Sequence, residues 1–115
     1  MKRIEAIIAA EKVSGVNEAL KKVGVGGATI LDAKGRGKGE KPQVQTGRGT
    51  KRLAAEFSVR ANVVTVVEDS EVEKVIKAIL DTVSTGSAGD GKIFVSTVGE
   101  AIDIGTKKRG QVAVV

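Results

Sequence analysis

The sequence predicts an α+β fold, a ferredoxin-like βαββαβ sandwich of one antiparallel sheet under two helices. Three observations carry that expectation. Two segments repeat apolar residues at helical spacing, β-branched runs alternate with them, and the order along the chain is strand, helix, strand, strand, helix, strand. Right-handed crossovers then close these pieces into one sandwich. At 115 residues the chain forms a single domain over 1–115, long enough to bury about two-thirds of its unfolded surface.

Lys2 to Ile8 alternates as a first strand, and Val13, Val16, Leu20 and Val23 follow at helical spacing until Gly24 and Gly26-Gly27 end the helix. Ala28 to Ala33 is a second strand, and Phe57 to Val67 a third, with the β-branched run Val63-Val64-Thr65-Val66-Val67. Between them lies a loop of about twenty residues, far above the usual few, and therefore either disordered or functional. The second helix carries Val72, Val75, Ile76, Ile79, Leu80 and Val83 on one face, with Ser70 and Glu73 in a capping-box pattern at its start. Ile93 to Thr97 is the fourth strand, and Ala101 to Ile104 and Gln111 to Val115 read as short strands at the end. Helices cover only one sheet face. The apolar run Val63 to Val67 therefore implies either self-association over the other face or simply a central strand of a monomer.

Composition removes many activities. With no cysteine and no histidine, disulfides, thiolate chemistry, most zinc sites and every histidine-based catalytic triad are excluded. The start, Met1-Lys2-Arg3-Ile4-Glu5, lacks the apolar stretch of a signal peptide and no apolar run is long enough to cross a bilayer, so a cytoplasmic protein is expected. The net charge of +5 is concentrated in Lys34, Arg36, Lys38, Lys41, Arg48, Lys51 and Arg52, a glycine-rich stretch whose single acid is Glu40. Such a stretch seeks anions, and a nucleic-acid binding module is one reading of it. The chain has no tryptophan or tyrosine, and Phe57 and Phe94 sit in strand-like runs, so stacking on bases is unavailable.

The segment Thr85-Gly86-Ser87-Ala88-Gly89-Asp90-Gly91-Lys92 joins glycine backbone freedom to a lysine charge just before a strand. Successive N–H groups there can converge on phosphate while the ammonium supplies the countercharge. A Walker loop is disfavoured, because Ile93 stands where a Mg²⁺-binding hydroxyl is required and a strand, not a helix, follows. Nor does an NTP-hydrolysing enzyme find a water-positioning residue near Lys92 other than Asp90. On these residues alone the segment is either a phosphate cradle or an ordinary glycine-rich turn.

Gly89-Asp90-Gly91-Lys92-Ile93-Phe94-Val95 behind Thr85-Gly86 resembles the nucleotide-binding B-loop of the PII (nitrogen regulatory protein P-II) signal-transduction family. Lys2-Arg3-Ile4-Glu5-Ala6-Ile7-Ile8 is similar to that family's first strand and Gly24-Val25-Gly26-Gly27-Ala28-Thr29 to the entry of its second. Gly35 and Gly37 resemble the root of its long T-loop, here about 36–56. The resemblance implies a homotrimer whose clefts between protomers bind ATP or ADP as regulatory ligands, with 2-oxoglutarate and Mg²⁺ as further ligands. It implies a sensor rather than a catalyst. Gly89, Asp90, Gly91 and Lys92 would hold the nucleotide's phosphates, Thr29 and Val66 would meet its adenosine, Gly37, Lys38 and Gly39 would join the nucleotide site from the start of the responsive loop, and Gly39 with Arg60 would bind the 2-oxoglutarate. Arg48, between Gly47 and Gly49, resembles the loop-tip arginine that meets a target such as an ammonium transporter or a nitrogen-metabolism enzyme. The chain departs from the family at several points. Lys38-Gly39-Glu40 replaces a glutamine, Arg60 a lysine, Asp103 and Gly105 two arginines, and the modified loop tyrosine has no counterpart.

Overall fold

The computed structural model describes residues 1–37 and 57–114. Four strands, β1 (Lys2–Ala9), β2 (Thr29–Gly35), β3 (Ser58–Val67) and β4 (Gly91–Thr97), form one antiparallel sheet in the order β2-β3-β1-β4. Two helices, α1 (Val13–Lys22) and α2 (Val72–Val83), pack on one face. This is the ferredoxin-like arrangement that the element order predicts.

Alternation decides which side chains enter the core. Ile4, Ala6 and Ile8 of β1 stand opposite Thr65, Val63 and Ala61 of β3, and all six are buried beneath the helices. Val16 and Leu20 of α1 and Val75, Ile79 and Val83 of α2 close over them. Each such aliphatic side chain contributes about 1.5–3 kcal/mol by leaving water. The buried Thr65 hydroxyl donates to the Gly27 carbonyl at 2.7 Å, which fastens the turn before β2 to the central strand. The helix stop is equally local. Gly24 takes φ +87 and donates to Lys21 O while Val25 donates to Leu20 O, the paired bonds of a Schellman motif.

Two expectations are corrected. The Ser70–Glu73 capping box does not form: a 3₁₀ turn, Asp69–Glu71, leads into α2, and Glu71 stands at the cap without a side-chain hydrogen bond. Asp69 is drawn instead to the N-terminal ammonium of Met1 at 3.0 Å, a contact that fixes how the chain enters the helix. The two short C-terminal strands reduce to a single bridge between Ile102 and Arg109, and Gly110–Ala113 is a 3₁₀ turn. Asp103 is the reason that the expected strand from Ala101 to Ile104 does not form. Its carboxylate accepts the Thr106 N–H and hydroxyl, both at 2.8 Å, which bends the chain before a strand can extend.

The second sheet face carries the other half of the alternation. Arg3, Glu5 and Ile7 share it with Arg60, Asn62, Val64 and Val66, with Leu31 on one edge and Lys92 and Phe94 on the other. Leu31 is 48% and Phe94 50% exposed.

Candidate functional site

The segment between α2 and β4 is a turn built around one carboxylate. Asp90 Oδ2 accepts the N–H groups of Thr85 at 2.6 Å and Ser87 at 3.2 Å, and its Oδ1 accepts the Thr85 hydroxyl at 2.5 Å. The Thr85 hydroxyl, then the Thr85 N–H, hold the Asp90 carboxyl below its ordinary pKa. Its oxygens thus serve the loop itself. Ser87 completes the turn by accepting the Gly89 N–H on its hydroxyl and the Asp90 N–H on its carbonyl, both at 3.2 Å. Two of the three amides from Gly89 to Gly91 are therefore engaged inside the loop, and a phosphate would have to exchange for Ser87 to use them.

Gly91 has a different reason to be glycine. Its φ is +125, and a Cβ at this position would lie 2.0 Å from the Ile7 carbonyl oxygen. The loop can join β4 to β1 so closely only because that atom is missing. Gly89 O, in contrast, faces Arg60, whose Nη1 donates to it at 2.8 Å.

Beside this bond opens a cleft of about 220 Å³. The glycine-rich turn borders it with Ala88, Gly89, Gly91 and Lys92, and the start of the long connection borders it with Gly35, Arg36 and Gly37. Arg60 lines the cleft between them, and Ile7 and Phe94 supply apolar wall. Among the described residues three cations and no carboxylate line it, so it suits an anion with an apolar neighbour. A hollow of about 450 Å³ lies on the helix side of the same loop, but Ile8, Ile76, Leu80, Val83, Ile93 and Val95 make most of its wall hydrocarbon. The charged chemistry belongs to the smaller space.

Of the residues singled out from sequence, Gly37, Arg60, Gly89, Gly91 and Lys92 come together at this cleft, and Asp90 shapes its loop. Thr29 and Val66 do not join them. Both lie on the same sheet face, but Val66 is six residues along β3 from Arg60, about 20 Å, and Thr29 sits on an edge strand three spacings from β4, about 14 Å. Lys38, Gly39 and Arg48 lie outside the described residues. Ile7 and Phe94 had no local signal as site residues, and the pairing of β1 with β4 brings them to the cleft. Arg36, read from sequence only as part of the anion-seeking basic stretch, reaches the cleft just past the end of β2.

Asp103 and Gly105 form the C-terminal turn. The Asp103 carboxyl is held below its ordinary pKa by the Thr106 N–H and hydroxyl, and Lys107 adopts φ +64 beside it. Arg109 is paired with Glu100.

Among the described residues no helix is long and apolar enough to cross a membrane. Residues 1–108 match the family described as Nitrogen regulatory protein P-II. Relatives of that name include one from Rhodospirillum rubrum, 43% identical over 110 residues that cover 96% of each chain. One from Rhizobium meliloti is 44% identical over the same share of each chain, and one from Pasteurella multocida is 38% identical over 99% of this chain and all of its own. With its sandwich topology and its glycine-rich loop before β4, the chain belongs to the nitrogen regulatory protein P-II family.

Proposed function

We propose that this protein is a cytoplasmic signal transducer of nitrogen and carbon status. It binds ATP or ADP at clefts between the protomers of a homotrimer and acts on a target such as an ammonium transporter through its long loop. It is a regulator and not an enzyme. The observation that carries this reading is the cleft lined by Arg36, Arg60 and Lys92, with no acid among its described residues, and walled on one side by the glycine-rich turn. At about 220 Å³ it falls below the roughly 300–1,000 Å³ that encloses a drug-sized molecule. It accommodates the phosphate end of a nucleotide, not the whole. The distance to Thr29 and Val66 supports a second protomer as the source of the adenosine contacts. On each chain the two groups of residues stand too far apart to grip one end of a ligand together.

Arg60 supplies a cation for the carboxylates of 2-oxoglutarate, with Gly39 as its companion. Among the described residues no cluster of acids could hold a metal, so Mg²⁺ would arrive with the nucleotide's phosphates. Fixing one backbone residue costs about 1–2 kcal/mol, whereas one charge-assisted contact returns about 1.5–3. A nucleotide therefore biases the root of the long loop near Gly35 to Gly39, and the target orders its tip around Arg48. Such a bias requires different affinities for the two loop states.

Isothermal titration with ATP and ADP, each with and without 2-oxoglutarate and Mg²⁺, tests the reading. Lys92→Ala is expected to weaken ATP binding by about one to two powers of ten. Unchanged affinity would remove Lys92 from the site. Salt-dependent duplex binding that ATP does not saturate would favour a nucleic-acid module instead.

A further inference from the structure

We infer that Arg60 is a positioning residue that links the two segments bordering the cleft, and that an anion bound there draws its guanidinium off the Gly89 carbonyl. The inference rests on the nucleotide reading above only for its second half. Arg60 stands on β3 opposite Ala9, the last residue of β1, and its head reaches Gly89 O at 2.8 Å. Its stem runs beside Gly35, where a Cβ would come 3.3 Å from Arg60 Cγ. One side chain thus touches the root of the long connection and the phosphate-loop candidate, two segments more than fifty positions apart in sequence.

The existing bond is to a neutral carbonyl. Phosphate oxygens carry full negative charge and offer the guanidinium a bidentate partner, so in the cleft they outcompete Gly89 O. The released carbonyl is exposed and finds water in exchange. When the head moves, the stem must move with it. Glycine at position 35 leaves the stem room for that motion, and a Cβ added there, 3.3 Å from Arg60 Cγ, would crowd it.

Amide and arginine Nε NMR spectra of the full chain test both halves. Without ligand, Gly35→Ala is expected to push the stem and shift the Gly89 and Asp90 amides. In an Arg60→Met background, which keeps the stem's length and removes the head, the same Gly35→Ala change is expected to leave them still. Gly89 and Asp90 amides that ignore Gly35→Ala, or that shift equally in the Arg60→Met background, would overturn the link. Arg60→Leu is the second variant should Arg60→Met unfold: it too removes the head, and the same loss of response is expected there. Inorganic triphosphate should then move the wild-type Arg60 Nε signal along the same binding curve as the Gly89 amide. Movement of the Gly89 amide with a stationary Arg60 Nε signal would overturn the transfer alone. If neither signal moves at saturating ATP or triphosphate, the transfer and the nucleotide reading both fail, while the ligand-free link is judged on its own result.

Discussion

Gly91 and Gly89 lie two residues apart in one glycine-rich loop, yet they are glycine for different reasons. A methyl group on Gly91 would meet the Ile7 carbonyl at 2.0 Å in a backbone conformation that L side chains avoid. On Gly89 it would meet only the Ser87 hydroxyl, at 3.7 Å. Gly91→Ala is therefore expected to cost about 3 kcal/mol or more in urea unfolding, and Gly89→Ala less than about 1 kcal/mol. Equal costs would mean that β4 does not approach β1 as described. Asp90 makes a pH prediction at the same scale. Its folded pKa is depressed, chiefly by the Thr85 hydroxyl, so its contribution is complete above the unfolded aspartate's value and is lost as pH falls through the lower folded one. The Thr85 and Ser87 amide resonances should hold steady from neutrality down to about pH 4 and move only below it. In Asp90→Asn that acid transition should vanish. This turn was legible in the sequence, because Thr85, Asp90 and Gly91 act within a few residues of one another. The bond from Arg60 to Gly89 was not, because its partners are 29 residues apart and meet only when β3 and β4 flank β1.

At the scale of the element, the strength of the periodic signal decided how well the chain could be read. Helix α2 repeats apolar residues over three turns, and of the face that this pattern predicts Val75, Ile79 and Val83 enter the core while Leu80 stays half exposed at its rim. Ile79→Ala should cost about 2–5 kcal/mol in chemical denaturation, since its side chain is fully enclosed. Ser70→Ala should cost less than about 0.5 kcal/mol, against the roughly 1 kcal/mol of a working cap. A full cap-sized loss would restore the capping box that the geometry denies. The pattern of residues 69–73 contains a valid local signal, and a tertiary contact overrides it. The N-terminal ammonium pairs with Asp69 and the chain enters α2 through a 3₁₀ turn. The C-terminal segment was misread for a related reason. Its apolar residues alternate as a strand would, but Asp103 and Thr106 form hydrogen bonds with the neighbouring backbone and close a turn first.

For the whole molecule, the face opposite the helices is the feature with the widest consequence. Leu31 and Phe94 remain half exposed there, while Arg3 and Glu5 pair with each other at 2.6 Å. Under the proposed assembly this face lies between protomers, so sedimentation at micromolar concentration should report a trimer, and Leu31→Glu should shift the population toward monomer. A wild-type monomer would sink the assembly, and with it the cleft shared between chains. The sequence by itself determined the element order, the two helix faces and the sheet alternation, and it located the glycine-rich turn around Asp90, because each depends on residues within about one helical turn or one strand of each other. Only the tertiary structure decided that Arg36, Arg60 and Lys92 line one cleft and that Thr29 and Val66 stand far from it. Strand order and register set those distances, and both follow from how the whole sheet buries its apolar side beneath the helices.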